Sequence, residues 1–189
     1  MFSVSGTTRL IYEGSFDLWG QNDAPWIAAD KTDTSFICSS NFNNVTEVIQ
    51  YHDADAGPAL NLDWFMSIPL TDSHSSTLTF SGVQGGEFNA GGRFFMLAQG
   101  GPNGPGVYMF VFEFFTSGGP FVNQWVLKLL DYYPAVIGGS QEFEGITVGR
   151  IDPPGANDLS QIHAVLNSGG NVYFKHWSVT QNTSHFTLP

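Results

Sequence analysis

The sequence is poor in charge, and above all in positive charge. Charged residues make up 12% of its 189 residues, and 6 Lys and Arg stand against 17 Asp and Glu, which gives a formal net charge of −11 at pH 7. A surface of this sign repels nucleic-acid phosphates and anionic lipid headgroups. The composition therefore predicts no nucleic-acid partner and no membrane partner.

Cysteine and long apolar segments are equally scarce. Cys38 is the single cysteine, which excludes a disulfide within the chain. No segment approaches the ~18 consecutive apolar residues of a membrane span. Residues 1–9 also lack the basic start and apolar run of a secretory signal. We expect either a cytoplasmic protein or a secreted one whose leader has been removed.

Aromatic residues and turn formers are abundant instead. The chain has 15% aromatic residues, 22 Gly and 10 Pro, a composition typical of sheets joined by tight turns. Its length is below the ~250–300 residues at which chains divide into several domains. The sequence therefore predicts one all-β domain over residues 1–189. We expect a two-sheet antiparallel β-sandwich of jelly-roll or concanavalin-like type, with a closed β-barrel as the alternative.

Clusters of Gly, Pro, Asn and Asp divide the chain into about eleven candidate strands. The segment Gly100–Gly106 predicts a hairpin loop. Val107–Phe115 is apolar on both faces apart from Glu113, which predicts a central strand covered on both sides. The predicted strands are Arg9–Phe16, Thr34–Cys38, Thr46–Tyr51, Trp64–Ile68, Thr77–Val83, Arg93–Ala98, Val107–Phe115, Trp125–Leu130, Gly145–Ile151, Gln161–Leu166 and Val172–Thr180.

The last two predicted strands carry the most informative pattern. If residues 167–171 form a loop of odd length, Leu166 lies opposite Val172, and the apolar residues of both strands share one face. That register predicts an outward face with an amide, an imidazole, a phenol, an ammonium and an indole. The apolar set is Ile162, Ala164, Leu166, Val172 and Phe174, and the outward set is Gln161, His163, Tyr173, Lys175 and Trp177.

Such an outward face is typical of sugar recognition. Aromatic rings cover the C–H face of a pyranose, and amide and charged groups bond its hydroxyls. The sequence therefore predicts a lectin-like protein that binds a glycan or polysaccharide and needs no cofactor. Two alternatives stay open from the same pattern. The face is the solvated side of an edge hairpin, or its aromatic rings bury one another in a self-assembling homo-oligomer.

The triplets Gln161-Ile162-His163 and Tyr173-Phe174-Lys175 resemble two short motifs of the jelly-roll alginate lyases. The resemblance implies β-elimination on a polysaccharide, with His163 and Tyr173 as proton-transfer groups. It covers six residues, and the Arg-rich strand motif of that family is absent. A polysaccharide lyase is therefore an alternative function for the same face.

A carboxylate pair suggests a second enzymatic alternative. Glu142 and Glu144 stand at i and i+2, and Glu113 lies within an aromatic strand. Glycoside hydrolases on sandwich folds use a pair of carboxylic groups as acid and nucleophile or base. The alternative interpretation places Glu142 at a solvated strand end and Glu113 at an edge that reaches water.

Two loop regions complete the candidates. His52, Asp53 and Asp55 have the spacing of oxygen-rich metal loops, although the EF-hand pattern fails because Pro58 and Trp64 replace its Gly and Glu. Calcium at Asp53 and Asp55 is therefore an alternative to an ordinary Asp-rich turn. Trp19, Trp26 and Trp64 stand near loops and are either binding platforms or core residues.

Overall fold

The computed structural model describes residues 2–4, 10–12, 18, 20–29, 36–53, 62–72, 76–89, 91–116, 120–135, 141–149 and 158–180. Strands, turns and bends occur in these ranges and helices do not, so the predicted all-β class is confirmed. The described ranges accordingly contain no helix with the length and apolarity to cross a bilayer.

Fourteen strands lie in the described ranges. They are β1 (Phe2–Val4), β2 (Leu10–Tyr12), β3 (Ala28–Ala29), β4 (Phe36–Ser39), β5 (Asn43–Val45), β6 (Glu47–Asp53), β7 (Leu62–Thr71), β8 (Phe80–Phe88), β9 (Arg93–Gly100), β10 (Gly106–Phe115), β11 (Gln124–Pro134), β12 (Gln141–Gly149), β13 (Asp158–Ser168) and β14 (Asn171–Thr180). Each predicted strand overlaps one of them. The strands β1, β3 and β5 were not predicted, because segments of two or three residues show no periodicity.

Nine strands form one sheet in the order β3-β4-β6-β7-β11-β10-β9-β8-β5, in which β7 and β11 are parallel and the other pairs antiparallel. Side chains from both ends of this order, such as Ala28 and Val45, meet in one buried cluster. The sheet is therefore curled around a single interior. Trp26 helps to bring its two ends together, because its indole packs over Gly86 of β8 and lies 5.6 Å from the ring of Phe94.

A second layer covers part of the outer side of the curl. The three-stranded sheet β12-β13-β14 packs there, and its Phe143 and Leu166 join Phe95 and Leu97 in a second buried cluster. Alternate residues of β9 therefore enter different cores, with Phe95 facing the small sheet and its neighbour Phe94 facing the interior of the curl.

Strand β10 lies between β9 and β11, which confirms the predicted central strand. Val107 and Met109 belong to the second core, whereas Tyr108 and Phe110 belong to the interior of the curl. Beyond Phe110 the strand becomes partly exposed. Both faces of this strand are thus covered over its first half.

The predicted hairpin across Gly100–Gly106 is also confirmed, since β9 and β10 pair antiparallel. The hydroxyl of Tyr108 holds the loop by donating a hydrogen bond to the Gly104 carbonyl and accepting one from the Asn103 N–H. A side chain at Gly106 would collide with the carbonyl of Tyr133 on β11. Close backbone approach therefore requires glycine at the start of β10.

Candidate functional site

The predicted register of the C-terminal hairpin is wrong. Strands β13 and β14 do pair antiparallel, but Ser168 lies opposite Asn171 and Leu166 opposite Tyr173. The loop is the two-residue turn Gly169-Gly170, with φ of 56° and 89°. Two positive φ values are the requirement of a type I′ turn, which Gly-Gly satisfies without strain. An even loop shifts β14 by one residue and exchanges its two faces.

This shift divides the predicted outward set between two faces. Trp177 lies opposite Ile162 and is 3% exposed in the second core, where its ring meets that of Tyr133 at 5.5 Å. Tyr173 and Lys175 share this face. Gln161 and His163 lie on the opposite face and are themselves buried. The hairpin therefore does not bring the five predicted residues together.

The shift also turns the apolar residues that were expected to be buried on β14 toward solvent. Val172 and Phe174, expected inside, are 73% and 60% exposed. In the lyase alternative, His163 and Tyr173 must approach one substrate from the same side. They occupy opposite faces of the sheet, because His163 pairs with His176 and Tyr173 pairs with Leu166.

The carboxylate candidates lie on two different sheets. Glu113 is partly exposed and forms an ion pair of 2.9 Å with Lys128 of β11. Glu142 and Glu144 are both exposed, and a bulge interrupts the pairing of β12 between Phe143 and Gly145. A bulge adds one residue to a strand and changes the direction of its side chains, so the simple i, i+2 argument does not apply to this pair.

The calcium candidate falls mostly outside the described residues. Asp55 and the side chain of Asp53 are not part of them, and the ring of His52 packs 5.1 Å from that of Phe36. Within the described ranges no three His, Cys, Asp or Glu side chains converge as a metal-binding group. The calcium site thus stays a prediction.

The loop tryptophans divide in a similar way. Trp26 is a core residue whose indole N–H donates to Ser40 Oγ at 3.0 Å. Trp19 and the side chain of Trp64 lie outside the described residues.

A cleft of about 470 Å³ opens where β10 ends and β11 begins. Phe114 and Trp125 are cross-strand partners there, with ring centroids 5.3 Å apart and ring planes at 63°. The two side chains are 43% and 44% exposed. Uncharged residues from three segments form its wall: Met66, Ser67, Phe114, Asn123, Gln124 and Trp125.

The curl itself explains why two large rings reach solvent here. Phe112 and Leu127 are cross-strand partners on the face that packs against the interior of the curl. Phe114 and Trp125 occupy the next positions on that face, because strand side chains alternate with a period of two. The apolar face thus continues beyond the core, and Trp125 stays attached to it through an edge contact of 6.5 Å with Phe112.

The turn before β11 places amide groups at the rim of the cleft. Asn123 has a φ of 61°, a left-handed conformation that Asn adopts more readily than most residues. Its N–H donates to the Phe115 carbonyl at 2.7 Å. The turn therefore fixes the Asn123 and Gln124 backbone beside the two rings.

Known proteins do not add to this picture. Comparison of the chain with protein-family models, curated proteins and solved structures finds no match.

Sequence reasoning missed the cleft. Its rings lie in the predicted strands Val107–Phe115 and Trp125–Leu130, whose aromatic residues have the spacing of core residues. The signal available in the sequence was the segment Asn123-Gln124-Trp125, in which two amides precede an indole directly after a turn. Nothing in the sequence indicates that the core inside the curl ends before Phe114.

Proposed function

We propose that this domain binds carbohydrate, as lectins do, at the cleft formed by Phe114, Asn123, Gln124 and Trp125. The observation that supports the proposal is the pair of half-exposed rings, inclined at 63°, beside two exposed amide side chains. Apolar ring faces match the C–H surface of a sugar, and amides donate to and accept from its hydroxyls.

The size and charge of the cleft support an uncharged glycan as the ligand. Its volume of about 470 Å³ lies within the ~300–1,000 Å³ of small-molecule sites. None of its wall residues is ionisable, and the net charge of −11 disfavours uronates and sulfated sugars. We therefore expect neutral oligosaccharides to bind.

A glycan array followed by calorimetry on the strongest ligand tests the proposal. We expect Trp125→Ala to weaken binding at least about tenfold, because the ring contributes buried area and a specific stacking geometry, and 1.4 kcal/mol is a factor of ten. Phe174→Ala is the matched control, since it removes an exposed ring from the other sheet. Its affinity should equal that of the wild type.

Two results would contradict the proposal. If the array shows no ligand, the domain is not a lectin. If Phe174→Ala or Tyr173→Ala removes binding and Trp125→Ala does not, the sugar binds at the C-terminal hairpin instead.

For the architecture, we propose a sandwich-like description. The packing of β12-β13-β14 against the outer side of β9 and β10 supports it, because two sheets then enclose the second core. The jelly-roll or concanavalin-like subtype is part of the same proposal.

The exposure of Val172 and Phe174 supports a second candidate function, self-association. Both residues lie on β14, which is an edge of its sheet within the described residues. Unpaired edges with apolar side chains are templates for pairing with another chain.

A further inference from the structure

A histidine pair lies on the small sheet, far along the chain from the cleft. His163 of β13 and His176 of β14 are directly opposite each other, and their Nδ1 atoms are 3.2 Å apart. The ring planes are inclined at 63°. His163 is buried, whereas His176 is partly exposed. Neither residue has a part in the proposed glycan site.

The surroundings of His163 fix its orientation. The Phe174 ring stacks on the imidazole with centroids 5.5 Å apart. The Nε2 atom of His163 lies 3.4 Å from the Gly149 carbonyl of β12, to which it donates a hydrogen bond in the Nε2–H form. That form leaves a lone pair on Nδ1, directed to His176. A histidine that binds a metal typically donates its other N–H to a carbonyl in this way.

The separation of the two nitrogens matches that of two ligands on one ion. Nitrogens bound at ~2.05 Å to a tetrahedral zinc ion lie about 3.3 Å apart. The observed 3.2 Å agrees with that separation, and each ring turns so that its Nδ1 lone pair points at the ion instead of at the other nitrogen. Because the backbone pairing of β13 and β14 holds both residues, much of the cost of assembling the site is met by the fold.

We propose that His163 and His176 bind a divalent transition-metal ion through their Nδ1 atoms. Imidazole nitrogen suits copper, nickel and zinc, and the general affinity order places Cu²⁺ above Zn²⁺. Within the described residues no third His, Cys, Asp or Glu joins the pair, so the proposal assigns two protein ligands to the ion. Binding requires the Nδ1 proton of His176 to move to Nε2 of the same ring.

Calorimetric titration of the chelator-treated full chain with Zn²⁺ and with Cu²⁺ tests the site. We expect the wild type to bind one equivalent that His176→Ala does not bind, with a tighter association for Cu²⁺. His52→Ala is the matched control, because His52 lies on β6 of the other sheet. Saturating Zn²⁺ should raise the melting temperature of the wild type and of His52→Ala, but not of His176→Ala, since a ligand that binds the folded state stabilises it.

Electron paramagnetic resonance of the Cu²⁺-loaded wild type gives an independent measurement that needs no variant. We expect hyperfine coupling from two imidazole nitrogens, and from fewer in His176→Gln, which keeps a polar side chain of similar length. The proposal is overturned if the wild type binds neither ion at millimolar concentration. It is equally overturned if His176→Ala binds the same number of equivalents with the same thermal shift.

Discussion

At the scale of single residues, tyrosine hydroxyls connect a loop to the interior of the curl. Tyr108 holds the β9–β10 loop, and the neighbouring Tyr132 donates to the Pro105 carbonyl at 2.8 Å. Burial raises the pKa of both phenols, and it raises that of Tyr51 to about 12 even though a hydrogen bond with Gln21 acts in the opposite direction. These groups are therefore held neutral well into the alkaline range.

The raised pKa of Tyr51 predicts a loss of stability in alkali. An unfolded tyrosine ionises near pH 10, whereas folded Tyr51 keeps its proton until about pH 12. Between these two pH values the folded state binds more protons than the unfolded state. The free energy of unfolding therefore falls as pH rises from 10 to 12. Below pH 10 this group makes the free energy of unfolding neither rise nor fall with pH. Urea midpoints of the wild type should decline from pH 10 to pH 12.

Tyr51→Phe removes one titrating group, so its urea midpoint should decline less steeply over the same window. Below pH 9 the difference between variant and wild type should not depend on pH. Parallel declines of the two proteins above pH 10 would show that Tyr51 does not couple ionisation to folding.

At the scale of elements, the sequence predicted where strands lie better than how they face. Alternation and turn residues located β9 to β14, because a strand pattern needs no knowledge of its neighbours. The register of β14 depended on a choice between an odd and an even loop. The apolar residues favoured an odd loop, whereas Gly169-Gly170 formed the two-residue turn and left Val172 and Phe174 exposed. The turn chemistry thus outweighed the burial of two side chains.

The candidate site shows the same limit. Phe114 and Trp125 have the spacing of core residues, and their exposure follows from where the core inside the curled sheet ends. The core there includes the parallel contact of β7 with β11, which joins Leu70 to Leu127 across more than fifty residues of sequence. Periodicity within one strand contains no information on such a contact.

The exposed side of β14 predicts self-association through this strand. Two copies would pair their β14 edges antiparallel about a two-fold axis, which covers Val172 and Phe174 of both. Sedimentation velocity over a hundredfold concentration range should show a dimer of the wild type. The double variant Val172→Thr, Phe174→Ser should stay monomeric.

Trp125→Ala is the control for this experiment, because it removes an exposed ring from the cleft on the other sheet. It should dimerise like the wild type. A wild type that sediments as a monomer at all concentrations would exclude the β14 interface, and equal dimerisation of the double variant would place the interface elsewhere.

At the scale of the whole molecule, two hydrophobic cores share the strands β9 and β10. Phe95 and Val107 belong to the second core, whereas Phe94 and Tyr108 belong to the interior of the curl. Loss of either core therefore exposes one side of the same strands. The two sheets should unfold together, as in a single cooperative domain.

Phe143→Ala tests this coupling, because Phe143 of β12 is fully buried between the two sheets. Removing a buried phenylalanine ring costs about 3–5 kcal/mol of unfolding free energy. We expect one transition in urea for the wild type, with the same midpoint by far-UV circular dichroism and by tryptophan fluorescence. The variant should also show one transition, shifted to lower urea for both signals.

Thr147→Ala is the matched control on the same strand, and its exposed position predicts a change within about 0.5 kcal/mol. If the variant instead shows two transitions, of which only one moves, the three-stranded sheet unfolds separately from the curl. The two cores would then be independent units in spite of their shared strands. If both signals instead show one urea transition with the same lowered midpoint, the two sheets unfold together. The histidine pair on the small sheet and the cleft on the large sheet would then be stabilised by the same cooperative fold.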